Sequence, residues 1–193
     1  MEILQKFIDT LTDLDQESAD KLIDLVTIKN FNKNDFLAKK NKKQVDFFIL
    51  KSGIVRSYYS DEDGKVHIRN FFTTLKTSGD IGALITNKPS KLYYDCLTDC
   101  EVYAINFKDF INLVNSNHNF SKLYNTMLTN IVLVLQSKVY DLSVLNGTER
   151  YLKLRKEIPE LENLIPQYHI ASYLNITPVQ LSRIRRDLSK NTN

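Results

Sequence analysis

Apolar residues at Ile3, Leu4, Phe7, Ile8, Leu11 and Leu14, and again at Leu22, Ile23 and Val26, recur every three or four positions. That spacing puts them on one helical face. Thr12, Asp13 and Asp15 are available as caps between two short helices. From about residue 27 to 105 the pattern shortens to runs rich in Phe, Tyr, Ile and Val, broken by NKND, NKKQ, KSG, SDEDGK, TSGD and NKPS. Strands punctuated this closely predict an antiparallel barrel or sandwich. The clearest hairpin is IVRSYYSDEDGKVHIRNFF, where Asp63-Gly64 supplies residue types that tolerate positive φ between two alternating strands.

After Phe107 the helical period returns. Asn106 can cap a short helix through Val114, and a longer helix is expected from about Phe120 to Leu145. Its apolar stripe is too wide for one neighbour: part should lie on the β domain. The series Phe120, Tyr124, Met127, Ile131 and Val134, stepping by four and three, should lie on a twin helix. The alternative is an ordinary buried helix in a monomer. Asn146-Gly147 ends this helix and TERYLKLRKEI begins another, stopped by Pro159.

The most informative stretch is IPQYHIASYLNITPVQLSRIRRDL, residues 165–188. Ile170, Ala171 and Leu174 form one helix face. Asn175 stands where a tight turn wants left-handed φ, Ile176 plugs the angle, and Leu181, Ile184 and Leu188 form the next face. This is the helix-turn-helix pattern, with small Ala171 at the close crossing. Thr177 as N-cap, Pro178 as first helical residue and Gln180 closing a capping box start the second helix. With its apolar face inward, Val179, Ser182, Arg183 and Arg186 turn outward. Such a row suits the major groove, where Arg reads guanine and Val meets a thymine methyl. Arg185 and Lys190 flank the row and suit phosphates, as do Thr177, Gln180, Gln167 and Tyr168. The bland alternative is a solvated face of a helical hairpin.

Charge placement supports the first reading. The net charge is +3, and residues 144–193 hold eight Lys or Arg against five acids, so the rest of the chain is balanced. An anionic partner for that last quarter follows. The two cysteines, Cys96 and Cys100, have poor spacing for a metal or disulfide framework and read as small buried strand residues. His67, His118 and His169 lie far apart, without imidazole-pair metal spacing. No metal site or cofactor is expected. No apolar run reaches the roughly 20 residues of a membrane span, and MEILQKF lacks the features of a secretory leader. A cytoplasmic protein without a membrane partner is therefore expected.

On these residues the chain resembles the Crp/Fnr family of transcription regulators in a short form. TERYLKL and IPQYHIASYLNITPVQLSRIRR match its DNA-binding domain, FFILKSGIVRSYYSDEDGK and the stretch from Gly79 to Ile105 its cyclic-nucleotide-binding-like β-roll, and Phe120 to Leu145 its dimer helix. The resemblance implies an α+β chain: an N-terminal antiparallel β-roll or jelly roll with flanking helices (1–115), a long dimerisation helix (116–145) and an all-α helix-turn-helix domain (146–193). It implies a homodimer on a palindromic double-stranded DNA site, with RNA polymerase as a further candidate partner and a small-molecule effector of unknown identity. The effector turn would be Gly79, Asp80, Ile81 and Gly82. In relatives that bind cyclic AMP an Arg-Ser pair holds the phosphate; counted back from Cys100 without gaps, that pair falls at Ser90-Lys91. Lysine lacks the bidentate fork of arginine, so ordinary cyclic-AMP binding is not expected. Two cysteines cannot hold an iron–sulfur cluster that needs four thiolates, and the span from Pro159 to Pro166 leaves little room for a β-wing. The competing reading is a cyclic-nucleotide-binding regulatory protein whose C-terminal domain makes protein contacts. A jelly-roll enzyme is disfavoured because the strand region holds only His67.

Overall fold

The computed structural model describes residues 2–11 and 13–190. Two short helices, α1 (Glu2–Asp9) and α2 (Gln16–Asp24), open the chain. Asp15 caps α2 by accepting from the Ser18 N–H at 2.8 Å; the expected cap at Thr12 lies outside the described residues. Eight strands follow: β1 (Val26–Phe31), β2 (Phe36–Ala38), β3 (Asp46–Ser52), β4 (Val55–Ser60), β5 (Val66–Phe72), β6 (Thr77–Ser78), β7 (Tyr93–Cys96) and β8 (Cys100–Asn106). Helix α3 (Ile81–Thr86) interrupts them after β6. They form two four-stranded sheets, in the orders β1-β8-β3-β6 and β2-β7-β4-β5, with antiparallel register.

The run Phe47-Phe48-Ile49-Leu50 is apolar at every position because β3 is buried on both faces. Phe47 and Ile49 join Tyr103 and Ile105 of β8 in a core closed by Leu4, Phe7, Ile8 and Leu22 from α1 and α2. Phe48 and Leu50 turn the other way, with Val102 and Ala104, onto Val55, Tyr94 and Cys96 of the second sheet. Cys96 and Cys100 are buried free thiols on strands. In the β4–β5 hairpin Gly64, rather than Asp63, takes the positive φ, +79°.

Helix α4 (Phe107–Ser116) is capped by Asn106, and α5 (His118–Val144) follows. Asn146 does not terminate α5: it is the N-cap of α6 (Gly147–Glu157), in a capping box with Glu149. The short α7 (Leu161–Leu164), α8 (Gln167–Tyr173) and α9 (Pro178–Lys190) complete the chain. Among the described residues no strand occurs after β8, so the span before Pro166 carries a short helix and no hairpin. No described helix is long and apolar enough to cross a membrane.

The chain divides into two compact units, Met1–Tyr58 with Phe71–Val132, and Tyr59–Asn70 with Leu133–Asn193. The first unit holds most of both sheets. The second has its own core of Tyr151, Leu154, Leu161, Ile165, Ile170, Ala171, Leu174 and Leu181.

Candidate nucleic-acid interface and effector region

Helices α8 and α9 meet at a turn that the backbone chemistry dictates. Asn175 adopts φ +53°, a left-handed conformation that asparagine tolerates better than most side chains. Ala171 has no exposed surface, as a close helix crossing requires. The Thr177 hydroxyl accepts from the Gln180 N–H at 3.1 Å, and the Thr177 N–H donates to Gln180 Oε1 at 2.8 Å. That reciprocal pair is a capping box, and Pro178 opens α9 where no N–H is needed. Leu181 is buried and Ile184 and Leu188 are half-buried, so α9 presents one apolar edge to its own unit.

Val179, Ser182, Arg183 and Arg186 are all exposed. Among the described residues Arg183 makes no ion pair, whereas Arg186 Nε lies 3.6 Å from Asp187. Arg185 is exposed as well, but its Nε lies 3.8 Å from Glu162, whose carboxylate also accepts from the Tyr151 hydroxyl. Burial and this carboxylate push the Tyr151 phenol up to about 12. Tyr168 stands exposed, but Gln167 is half-buried and donates to the Glu162 carbonyl at 3.5 Å. The structure thus gathers Tyr168, Thr177, Val179, Gln180, Ser182, Arg183, Arg185 and Arg186 at the surface, and turns Gln167 partly away from it.

Two cations hold the turn from behind, and nothing in their sequence surroundings marks them for it. Lys138 of α5 donates to the Tyr173 carbonyl at 3.3 Å and sits 3.3 Å from the centroid of the Tyr173 ring. Arg150 of α6 donates to the Leu174 carbonyl at 3.0 Å. Together they satisfy carbonyls that the end of α8 leaves free. Desolvation, with Arg150 and Lys153 nearby, lowers Lys138 to about 8 against the pull of Asp141 and Glu157. Ser172 does a related job on another edge. Its hydroxyl accepts from the Ile68 N–H at 3.0 Å and donates to the Val66 carbonyl at 2.9 Å, tying α8 to the β5 side of the hairpin tip. Each of these is a polar side chain whose partner is distant in sequence, so no local motif signals it.

In α5, Phe120 is fully buried in the first unit's core, with Tyr124 and Met127 packed against it. Those three members of the expected seam are therefore engaged within the chain. Ile131 is half-buried. The open apolar surface begins at the next residue: Val132, Leu133, Val134, Leu135, Val139, Leu142 and Val144 are 43 to 65% exposed.

The turn from Gly79 to Gly82, expected from the sequence to face an effector, lies in the first unit. Gly79 takes φ +138°, a conformation favoured by its missing side chain. Asp80 caps α3, and Ser90 is buried. The Lys91 side chain is exposed, so only its backbone N–H points at the turn, 3.3 Å from Asp80 Oδ2. Among the described residues no group of three His, Cys, Asp or Glu is placed to hold a metal ion.

Known proteins share this architecture. Residues 28–117 match the family model of the cyclic nucleotide-binding domain. FixK2 from Bradyrhizobium japonicum is similar at TM-score 0.75 and 16% identity, over 86% of each chain. The c-di-GMP responsive global regulator CLP of Xanthomonas campestris is similar at TM-score 0.70 and 13% identity, over 92% of this chain and 93% of that one. A chain from Eubacterium rectale described as a regulator of the crp/fnr family is similar at TM-score 0.70 and 12% identity, over 93% and 85%. At such identities the likeness shows a shared fold. No curated protein matches the sequence.

Proposed function

We propose that this chain, a cyclic nucleotide-binding domain followed by a helix-turn-helix on the fold of Crp/Fnr regulators, is a sequence-specific DNA-binding transcription regulator. The observation that carries the reading is the face of α9. On a capped second helix, Val179, Ser182, Arg183 and Arg186 stand exposed in the one quarter of the chain with excess positive charge. A helix so armed fits the major groove, with arginine to guanine as its commonest specific contact. Thr177, Gln180 and Tyr168 lie where a phosphate backbone would pass, and their uncharged donors suit positioning more than base reading. Pro178 keeps the start of α9 rigid.

The open stripe on α5 from Val132 to Val144 supports a homodimer, because exposed apolar surface of that length is costly on a solitary chain. Two copies would place two recognition helices on a palindromic site. The effector region, with Lys91 facing solvent where relatives use arginine, does not take cyclic AMP in the usual way.

Selection of binding sites from random duplexes by the purified chain tests the reading. The expected result is an inverted repeat with half-sites about 10 base pairs apart, centre to centre. Recovery of unenriched sequence, with cyclic nucleotide present or absent, would favour a C-terminal domain that contacts protein instead.

A further inference from the structure

Two loops of the first unit bring six lysines together with no acid among them. One is KKNKKQ, residues 39–44, and the other is TNKPSK, residues 86–91. In the first, the Lys42 N–H donates to the Lys39 carbonyl at 3.1 Å, and Asn41 takes a left-handed φ of +63° that closes the turn. In the second, Asn87 ends α3 at φ +54°, and the Lys88 N–H reaches back to the Ala83 carbonyl at 3.1 Å. The loops are also tied to each other: the Asn41 N–H donates to the Ser90 carbonyl at 2.8 Å, and the Ser90 N–H to the Lys42 carbonyl at 3.0 Å. Backbone chemistry thus fixes the two side by side. Lys39, Lys40, Lys42, Lys43, Lys88 and Lys91 all stand exposed on them.

Nothing in the chain answers this charge. Among the described residues none of the six makes an ion pair, whereas Lys6, Lys21, Lys29 and Lys51 of the same unit meet Glu2, Glu17, Asp46 and Glu101. Of the acids beside the loops, Asp46 is taken by Lys29, and Asp80 is buried and accepts from the Ser90 hydroxyl and the Lys91 N–H. Residues 1–143 hold equal numbers of basic and acidic side chains, so gathering six positive charges here leaves the rest of that stretch acidic. Like charges held this close repel, and folding gains nothing from them. An anionic partner offsets that cost.

We infer that these loops are a second, sequence-independent contact for the phosphodiester backbone of duplex DNA. The choice of partner follows from what the loops contain and lack. Protein interfaces are built on aromatic, Met and Arg anchors and are depleted in Lys, and neither loop holds any such anchor. Instead the lysines alternate with Asn41 and Asn87, giving point charges and uncharged donors of the kind that hold phosphate without reading bases. Lysine lacks the fork that recognises a guanine edge, but a row of ammonium groups is all that a uniform line of phosphates asks for. The inference rests on the reading of the chain as a DNA-binding regulator and adds to it a non-specific component that lies outside α9.

Binding of the full chain to a duplex of unselected sequence, followed by fluorescence anisotropy over a salt series, tests this. Lys40→Gln, Lys42→Gln and Lys88→Gln in one chain are compared with Lys76→Gln, Lys108→Gln and Lys122→Gln in another, which removes equal charge from other exposed sites of the same unit. The first variant is expected to bind about tenfold more weakly at low salt and to shallow the slope of log affinity against log salt by roughly two to three units, while the second stays near wild type. Equal losses in both would reduce the effect to net charge, and an unchanged first variant would leave these loops to an acidic protein surface; either result overturns the inference. Arg183→Ala with Arg186→Ala separates it from the reading of α9. In that chain site preference is expected to be lost while a salt-dependent affinity for unselected duplex remains, which replacing the three lysines then removes. If the arginine variant binds no duplex at all, the loops make no contact of their own and the inference fails. If wild type selects no site yet binds duplex through the lysines, the reading of α9 fails and the inference stands.

Discussion

Arg183 and Arg185 are separated by one residue on α9 and differ in what they can do. Arg183 is exposed without an ion pair among the described residues, whereas Arg185 approaches Glu162. Arg183→Ala is therefore expected to lose about 1 to 3 kcal/mol on the specific site and to relax preference at one position of each half-site. Gel-shift titration on the selected duplex and its point variants checks this; unchanged affinity and preference would remove α9 as the reader. Arg185→Ala should weaken all duplexes alike and by less, since part of its charge is already answered by Glu162. Lys138 offers a test by pH. Its folded value near 8 lies below the roughly 10.4 of an unfolded lysine. Between those values the unfolded chain holds the proton and the folded one releases it. The cost of the buried ammonium is thus present below pH 8 and is relieved as pH rises, by up to about 1.4 kcal/mol per pH unit. Tyr173, raised to about 12 chiefly by burial, stays neutral throughout. Urea unfolding between pH 7.5 and 9.5 should show stability rising more steeply in wild type than in Lys138→Met; parallel profiles would exclude Lys138 as the cause.

Among the elements, those whose ends are written in local chemistry are legible in the sequence and those shaped by distant partners are not. Asn106, Thr177 with Gln180 and the turn at Asn175 can be read because a cap or a left-handed residue answers only to its neighbours. Thr177→Ala should accordingly destabilise the chain by about 1 kcal/mol and loosen α9, seen as faster amide exchange in its first turn. Asn146 reads from the sequence as the end of α5, since an asparagine serves equally at either boundary; the Glu149 side chain, accepting the Asn146 N–H at 2.8 Å, makes it the start of α6. The stripe of α5 is visible as a period, but a period does not say which turn meets which neighbour. Phe120 and Leu123 go to the core, and the open surface shifts toward Val134 and Val139. Val134→Glu combined with Val139→Glu should yield monomers in sedimentation without loss of helix content by circular dichroism. A wild-type chain already monomeric at micromolar concentration would defeat the dimer.

For the whole molecule, the salt dependence of binding joins these parts. If a dimer lays two copies of α9 on one duplex, log affinity should fall linearly with log salt, and each phosphate contact deleted per protomer should shallow the slope by roughly two units, since it is lost twice. A change of about one unit would indicate a single engaged copy. How much of this can be read in advance follows from the range of the forces involved. The sequence by itself determined the helical and strand segments, the capped turn before α9, the outward row of Val179, Ser182, Arg183 and Arg186, and the absence of arginine from Ser90-Lys91. All of these depend on periodicity, backbone chemistry or residue type within a turn or two of the chain. Only the tertiary structure decided that β3 is buried on both faces, that Phe120 is buried in the core while Val134 remains open, that Lys138 and Arg150 cap α8, and that Asp80 lies bonded between Ser90 and Lys91. Those pairings join residues from ten to more than fifty positions apart, and a hydrogen bond or a packed face exists only once folding has brought both partners together and taken water away.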